Sequence, residues 1–156
     1  MEIFSFFVYI CLLIPIAVSD FKEHIISNKY IKLLIFFRLA IFLVESGIAF
    51  LSKNRFESSL LINFGMDLFS AVLIFVIFSI IAIFSKNNMG FGDVKLFVTL
   101  GLYFGAGTAI EIILFSMILI IVYSLILRII KRNIDSFPIA PFVLISLMVF
   151  YYTKLI

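Results

Sequence analysis

Long apolar runs, several of them long enough to cross a bilayer, constrain this chain more than any other feature. Six can be read along the sequence, at about residues 3–19, 33–51, 60–84 or 66–84, 94–103, 108–130 and 138–152. A hydrocarbon core about 30 Å thick takes roughly 20 residues of helix, although the fourth run is shorter. Because backbone amides in lipid must be satisfied within the protein, unbroken apolar runs without strict alternation predict helices rather than a barrel. We therefore predict an all-α, polytopic integral membrane protein with about six transmembrane helices.

Composition supports this class and excludes others. The 156 residues are 65% hydrophobic and 13% charged, whereas soluble domains carry about 45–50% apolar and ~25% charged residues. The net charge is only +3 and the basic residues are scattered, which argues against nucleic acid as a partner. We expect one membrane-embedded domain spanning residues 1–156, with nothing appended to it.

The chain has one cysteine, Cys11, and one histidine, His24. Neither a disulfide within the chain nor a multi-cysteine zinc site is available to it. We expect no metal and no cofactor, a buried and inert Cys11 thiol, and a His24 that is solvated or among lipid headgroups.

The basic residues predict the orientation. With six spans, the connections after the first, third and fifth spans share one side of the membrane. They and their flanks hold most of the basic residues, namely Lys22, Lys29, Lys32, Lys86, Lys95, Arg128, Lys131 and Arg132. The excess of lysine and arginine on cytoplasmic loops then places these connections in the cytoplasm and both termini outside. We expect a multi-pass protein of the cell membrane.

Two aspartates lie at predicted helix–loop junctions on that cytoplasmic side. Asp20 follows the first span and Asp93 precedes the fourth. Each alone is typical of a solvated helix end, and Asp93 would also suit a helix N-terminus. As a pair in a poorly solvated cleft they would share a proton, so that one activates water while the other donates to a carbonyl oxygen. That is the chemistry of aspartyl proteolysis.

Glycines flank Phe91 immediately before Asp93. Gly90 and Gly92 permit backbone torsions closed to other residues and let another chain come close. A segment of this kind could hold an extended peptide through main-chain hydrogen bonds. A plain interhelical turn is the alternative interpretation.

Three short motifs resemble those of the type IV prepilin peptidases, a family of integral-membrane aspartyl proteases. "GFGDVKL" at 90–96 resembles the family's G-x-G-D-x-K-L signature. "DFKEHIISN" at 20–28 resembles D-x-x-x-x-x-I-P-N, with Ser27 in place of the proline. "FPIAPF" at 137–142 resembles the P-x-x-P-F element near the last helix.

The resemblance implies a role for each matched residue. Asp20 and Asp93 would be the catalytic pair, and Gly90 and Gly92 the glycines of the signature. Structural or substrate-facing roles are implied for the remaining matched positions, Asn28, Lys95, Pro138 and Pro141.

The resemblance also implies a reaction. The enzyme would remove a short basic leader from pilin-like precursors at the cytoplasmic face, after a glycine and just ahead of the precursor's hydrophobic helix. Many bacterial members carry a cytoplasmic region with paired cysteines that is associated with methylation. This sequence lacks it, so it resembles the peptidase-only branch of Flp/Tad-type and archaeal preflagellin peptidases. Expected partners are the precursors and the lipid bilayer; association with itself or with pilus assembly machinery stays open.

Two other functional classes remain open at this point. A small transporter or channel subunit could use the same carboxylates for protons or cations, and a silent scaffold of an assembly machine would not need them. Carriers usually place such sites near the membrane midplane, which disfavours the first alternative.

The other charges and glycines within the spans have simpler interpretations. Arg38 and Glu45 share a helical face directed to the bundle interior. Asp67 and Glu111 each lie near the start of a span, where a charged side chain needs no functional explanation. The pair Gly101 and Gly105, in "GLYFGAG", is expected to form a turn or a close helix contact.

Overall fold

The computed structural model of the protein describes residues 2–23, 25–53, 58–85, 90–130 and 137–155. These residues form five helices: α1 (Glu2–Glu23), α2 (Asn28–Lys53), α3 (Ser58–Phe84), α4 (Phe91–Ile129) and α5 (Ala140–Leu155). Helices α1 to α4 are long and apolar enough to cross a membrane, and α5 is a shorter apolar helix. The all-α, polytopic class is therefore confirmed, while the count of six spans stays a prediction.

The helices extend further into the polar sequence than the apolar runs predict. Helix α1 continues to Glu23, so Asp20 lies within its last turns and not after it. Asp93 is the third residue of α4 and does not precede the helix. Hydropathy marks only the part of a helix that contacts hydrocarbon, whereas backbone hydrogen bonding continues into the interface. The predictions for His24 and for residues 54–57, 86–89 and 131–136 lie outside the described residues.

The bundle core draws buried side chains from all five helices, including Leu34 of α2 and Ile74 of α3. The fully buried side chains of α1, α4 and α5 include Tyr9, Leu13, Ile16, Phe97, Leu100 and Leu147. Cys11 lies on the exposed surface of α1, so the prediction of a buried thiol is wrong. The exposed surface of a membrane helix is as apolar as its packed surface, and hydrophobicity alone therefore could not assign Cys11 to either.

Helix α4 is interrupted at Gly105, whose backbone has φ 74° and ψ 169° within 39 otherwise helical residues. A straight helix of that length would measure about 58 Å, nearly twice the hydrocarbon thickness. The part of α4 before this break runs antiparallel to α1. Phe6 contacts Phe104 with ring centroids 6.5 Å apart, while Tyr9, further along α1, hydrogen-bonds Thr99 at 3.0 Å.

Helix α5 also runs antiparallel to α1. The Phe6 ring stacks on Tyr151 near the end of α5, with centroids 3.7 Å apart. The backbone N–H of Ala140, at the start of α5, reaches Asp20 near the end of α1.

The part of α4 after the break runs antiparallel to α5. Tyr123 contacts Phe142 in the first turn of α5, with ring centroids 5.3 Å apart. Ile112 lines the same cavity as Phe150, near the end of α5. Since α5 is antiparallel to α1, the second part of α4 is parallel to α1 and the chain turns back at Gly105.

Candidate active site at one end of the bundle

Asp20 is held at the start of α5. Its side chain is buried, with 4% of the residue exposed, and its Oδ2 accepts a hydrogen bond from the backbone N–H of Ala140 at 2.8 Å. The first N–H groups of a helix have no partner within it, and the dipole there favours a negative charge. The carboxylate of α1 therefore stabilises the N-terminus of α5.

The proline-containing segment explains why Ala140 supplies this donor. Pro141, the second residue of α5, has no N–H to donate. The next two N–H groups, of Phe142 and Val143, both bond back to the carbonyl oxygen of Ile139 at 3.1 Å. The N–H of Ala140 turns to Asp20, while Pro138 is buried just before the helix.

Asp93 is held by its own helix N-terminus. Its Oδ2 accepts from the N–H of Gly90 at 3.1 Å, and its own N–H donates to the carbonyl oxygen of Gly90, also at 3.1 Å. A carboxylate at the third helical position commonly caps the start of a helix in this way. This contact fixes the Asp93 side chain beside the loop that enters α4.

The two signature glycines provide space, not unusual torsions. Gly90 has an ordinary extended backbone with φ −73° and ψ 144°, and among the described glycines only Gly105 has a positive φ. A Cβ at Gly92 would lie 3.2 Å from the Cβ of Ile26, which precedes α2. Of the two properties that glycine permits, special torsions and close approach, the structure uses close approach at Gly92.

Asn28 and Lys95 connect the segments that follow the two aspartates. The Lys95 Nζ donates to Asn28 Oδ1 at 2.9 Å, on the exposed surface. Asn28 begins α2, and Lys95 lies in the first turns of α4. This hydrogen bond and the contact of Gly92 with Ile26 hold the start of α4 against the connection between α1 and α2.

Asp20 and Asp93 lie close enough for their charges to interact. Asp20 is buried and Asp93 is half-buried, so water screens their mutual repulsion poorly. The C-terminal end of α1 and the starts of α2, α4 and α5 thus lie at one end of the bundle. They carry, on the helices or just before them, all eight residues that the sequence predicts to form the site. Among the described residues, no three potential ligands of the His, Cys, Asp or Glu type come together as a metal site would need.

Two hydrogen-bonding groups of this bundle, a backbone donor and a carboxylate, have roles that the sequence does not predict. The Ala140 N–H is a backbone donor, and no side-chain pattern announces it. Asp67 is predicted as a plain helix-start residue, yet its Oδ2 accepts from the Nη2 of the buried Arg38 at 2.6 Å. Arg38 therefore points into the bundle as expected, but its partner is Asp67 on α3, not a residue of its own helix.

Comparison with known proteins identifies the family. No curated protein and no solved structure matches the chain. The model of the type IV leader peptidase family matches residues 7–125, a region that contains both aspartates, both signature glycines, Asn28 and Lys95. Because that match covers well over half of the sequence, the chain belongs to the type IV leader peptidase family.

Proposed function

We propose that this peptidase is an aspartyl endopeptidase that removes the short basic leader from pilin-like precursors at the cytoplasmic face of the membrane. One observation carries the proposal. Asp20 and Asp93, from distant parts of a leader peptidase family chain, lie at the same end of the bundle, where Gly92 packs against Ile26 and Lys95 bonds to Asn28.

The chemistry needs only these two carboxyl groups and water. Mutual repulsion favours a state in which the pair holds one proton. The ionised carboxylate takes a proton from water as the oxygen attacks the scissile carbonyl carbon, and the neutral carboxyl donates to the carbonyl oxygen. The tetrahedral intermediate then collapses as its C–N bond breaks. The leaving nitrogen takes its proton from the carboxyl that deprotonated water, and the other carboxylate recovers a proton from the hydroxyl that becomes the carbonyl oxygen. Each aspartate can fill either role.

The neighbouring motif residues would serve this pair by fixing its geometry. Gly90 and Ala140 donate N–H groups to the two carboxyls. Asn28 and Lys95 hold two of the helix starts together. Catalysis that depends on two groups acting on one amide gains most from such fixed geometry.

We also propose six membrane crossings, counting the two parts of α4 separately. The reversal of direction at Gly105 supports this count, since a 39-residue straight helix would overshoot the bilayer. Five basic residues lie at the end of the bundle that holds the two aspartates: Lys22, Lys29, Lys32, Lys95 and Arg128. The positive-inside rule then favours a cytoplasmic active site in the cell membrane.

The substrate class follows from the family and the membrane setting. A precursor with a basic leader, a glycine and an apolar helix would enter the bilayer beside the enzyme and present the bond after the glycine at the interface. No contact of the described residues favours a transporter or a scaffold over a peptidase.

The direct test is cleavage of a co-expressed pilin-like precursor by the wild type, Asp20→Asn and Asp93→Asn. Asparagine keeps an oxygen acceptor for the N–H groups of Ala140 and Gly90 but cannot act as an acid or a base. General acid–base groups typically contribute about 100-fold or more, so we expect each variant to lose at least that much processing. Glu111→Gln, at an exposed position of α4, is the matched control and should cleave normally. Full processing by either aspartate variant would falsify the mechanism.

A further inference from the structure

A partly buried ion pair connects three helices away from Asp20 and Asp93. Arg38 of α2 is 8% exposed, and its Nη2 donates to Asp67 Oδ2 of α3 at 2.6 Å. Its Nε donates to the carbonyl oxygen of Leu102 in α4 at 3.0 Å. The guanidinium also lies 5.4 Å from the ring centroid of Phe64. One side chain thereby fixes α2, α3 and α4 to one another.

The position of this pair along α4 is informative. Leu102 lies in the last turn before the break at Gly105, where helix carbonyls lose their regular partners and a cation is favoured. Asp67 Oδ1 lies 3.8 Å from the site that a Cβ on Gly105 would occupy. Arg38 therefore binds the backbone in the last turn of the first part of α4 and caps that end, with Asp67 beside it.

Further contacts hold the same end of α4. The hydroxyl of Tyr103 donates to the carbonyl oxygen of Leu34 at 2.8 Å, one helical turn from Arg38 on α2. Gly101 lies directly against α3, since a Cβ there would meet the Ala71 backbone at 3.3 Å. These specific contacts, and not apolar packing alone, set the rotation of this segment about its helix axis and its position along that axis.

The same short segment carries Asp93 at its other end. Asp93 and Leu102 are nine residues apart, about 13 Å along a helix axis. A helix is stiff over that distance, so a rotation or shift at Leu102 is transmitted to the Asp93 side chain. We propose that Arg38 and Asp67 are positioning residues that fix the first part of α4, and so place Asp93 against Asp20. This inference rests on the proposed peptidase function.

The decisive variant replaces both partners with apolar side chains, as Arg38→Met with Asp67→Leu. Removing one partner leaves a buried charge unpaired, whereas replacing both is often neutral or stabilising. We therefore expect the double variant to fold, with an unfolding temperature close to that of the wild type and lowered only by the lost hydrogen bond to the Leu102 carbonyl oxygen. Since a misplacement of about 1 Å can cost ~100-fold, kcat should fall by roughly 10- to 100-fold with KM unchanged. Wild-type kcat, or a raised KM with kcat unchanged, would overturn the proposal.

A second variant covers the case in which the double replacement does not fold. Arg38→Lys keeps the charge near Asp67 but lacks the planar fork that serves Asp67 and Leu102 together. We expect a folded protein whose kcat is severalfold lower, and wild-type kcat would overturn the proposal. Arg128→Lys, at the exposed end of α4, is the matched control.

The failure of this inference is distinguishable from that of the proposed function. If the wild type does not cleave the precursor, or Asp20→Asn cleaves it fully, the peptidase proposal fails. If the wild type cleaves it and the Arg38 variants match it in kcat, only the positioning role fails.

Discussion

The break in α4 predicts an unusual response to alanine at Gly105. Its φ of 74° and ψ of 169° lie in a region that is essentially restricted to glycine, and a side chain there costs about 1–3 kcal/mol. The nearest atom to an added Cβ, Asp67 Oδ1, is 3.8 Å away, which is ordinary van der Waals contact. The whole cost is therefore a backbone cost, and it lowers the ratio of folded to unfolded protein by about 5- to 150-fold.

The sign of the change distinguishes a broken α4 from a continuous one. Alanine within a regular helix is more stable than glycine by roughly 0.5–1 kcal/mol. If α4 were one straight helix, Gly105→Ala would stabilise the protein. Gly107→Ala is the matched control, because no atom lies within 4 Å of the position of its Cβ and its torsions are not left-handed. We expect Gly107→Ala to stabilise and Gly105→Ala to destabilise.

The measurement is reversible unfolding in mixed micelles as a denaturing detergent is increased, followed by helical circular dichroism. The two alanine variants should differ by about 1.5–4 kcal/mol, which combines the two effects. A Gly105→Ala protein as stable as Gly107→Ala would refute the break, and with it the reversal of the chain and the six-crossing topology.

Two further predictions concern the contacts around Asp93. Gly92→Val should lower precursor cleavage strongly, because its Cβ would lie 3.2 Å from Ile26 Cβ. The control variant Gly47→Val has open space around the added side chain and should cleave normally. Equal cleavage by both variants would contradict the close packing at Gly92. Lys95→Met and Asn28→Ala each remove the same 2.9 Å hydrogen bond, so the double variant should cleave the precursor no more slowly than the slower single variant. Additive losses of cleavage rate would show that the two residues act separately.

Sequence reasoning predicts the class of this fold well and its contacts less completely. Long apolar runs can satisfy their backbone in lipid only as helices, so the all-α class follows from hydropathy alone. Which surface of each helix packs inside does not, because lipid-facing and interior positions are equally apolar. Cys11 is wrongly predicted as buried for this reason, and Asp67 is not recognised as the partner of Arg38.

The candidate site is predictable as a set of residues because its motifs are short and distinctive. Their order in the chain shows which residues matter, but not which atoms meet. The contact between Asp20 and the Ala140 N–H joins an end of α1 to the start of α5, and it involves a backbone group that any residue except proline could supply. The association of Arg38 with Leu102 is likewise a contact to a carbonyl oxygen, and no residue pattern encodes it.

The composition of the motifs has a physical explanation in this arrangement. Among the matched positions, only Asp20 and Asp93 carry carboxyl groups; apart from Lys95, the others are small, cyclic or uncharged. Gly92 allows Ile26 to approach, and Pro141 removes an N–H so that Ala140 is the donor presented to Asp20. A substrate must bring its own extended backbone to the same end of the bundle, where the two carboxyls already bind main-chain N–H groups. In the proposed reaction, the residues that shape the backbone would therefore be needed as well as the acids, because they determine whether a peptide bond can reach both carboxyls at once.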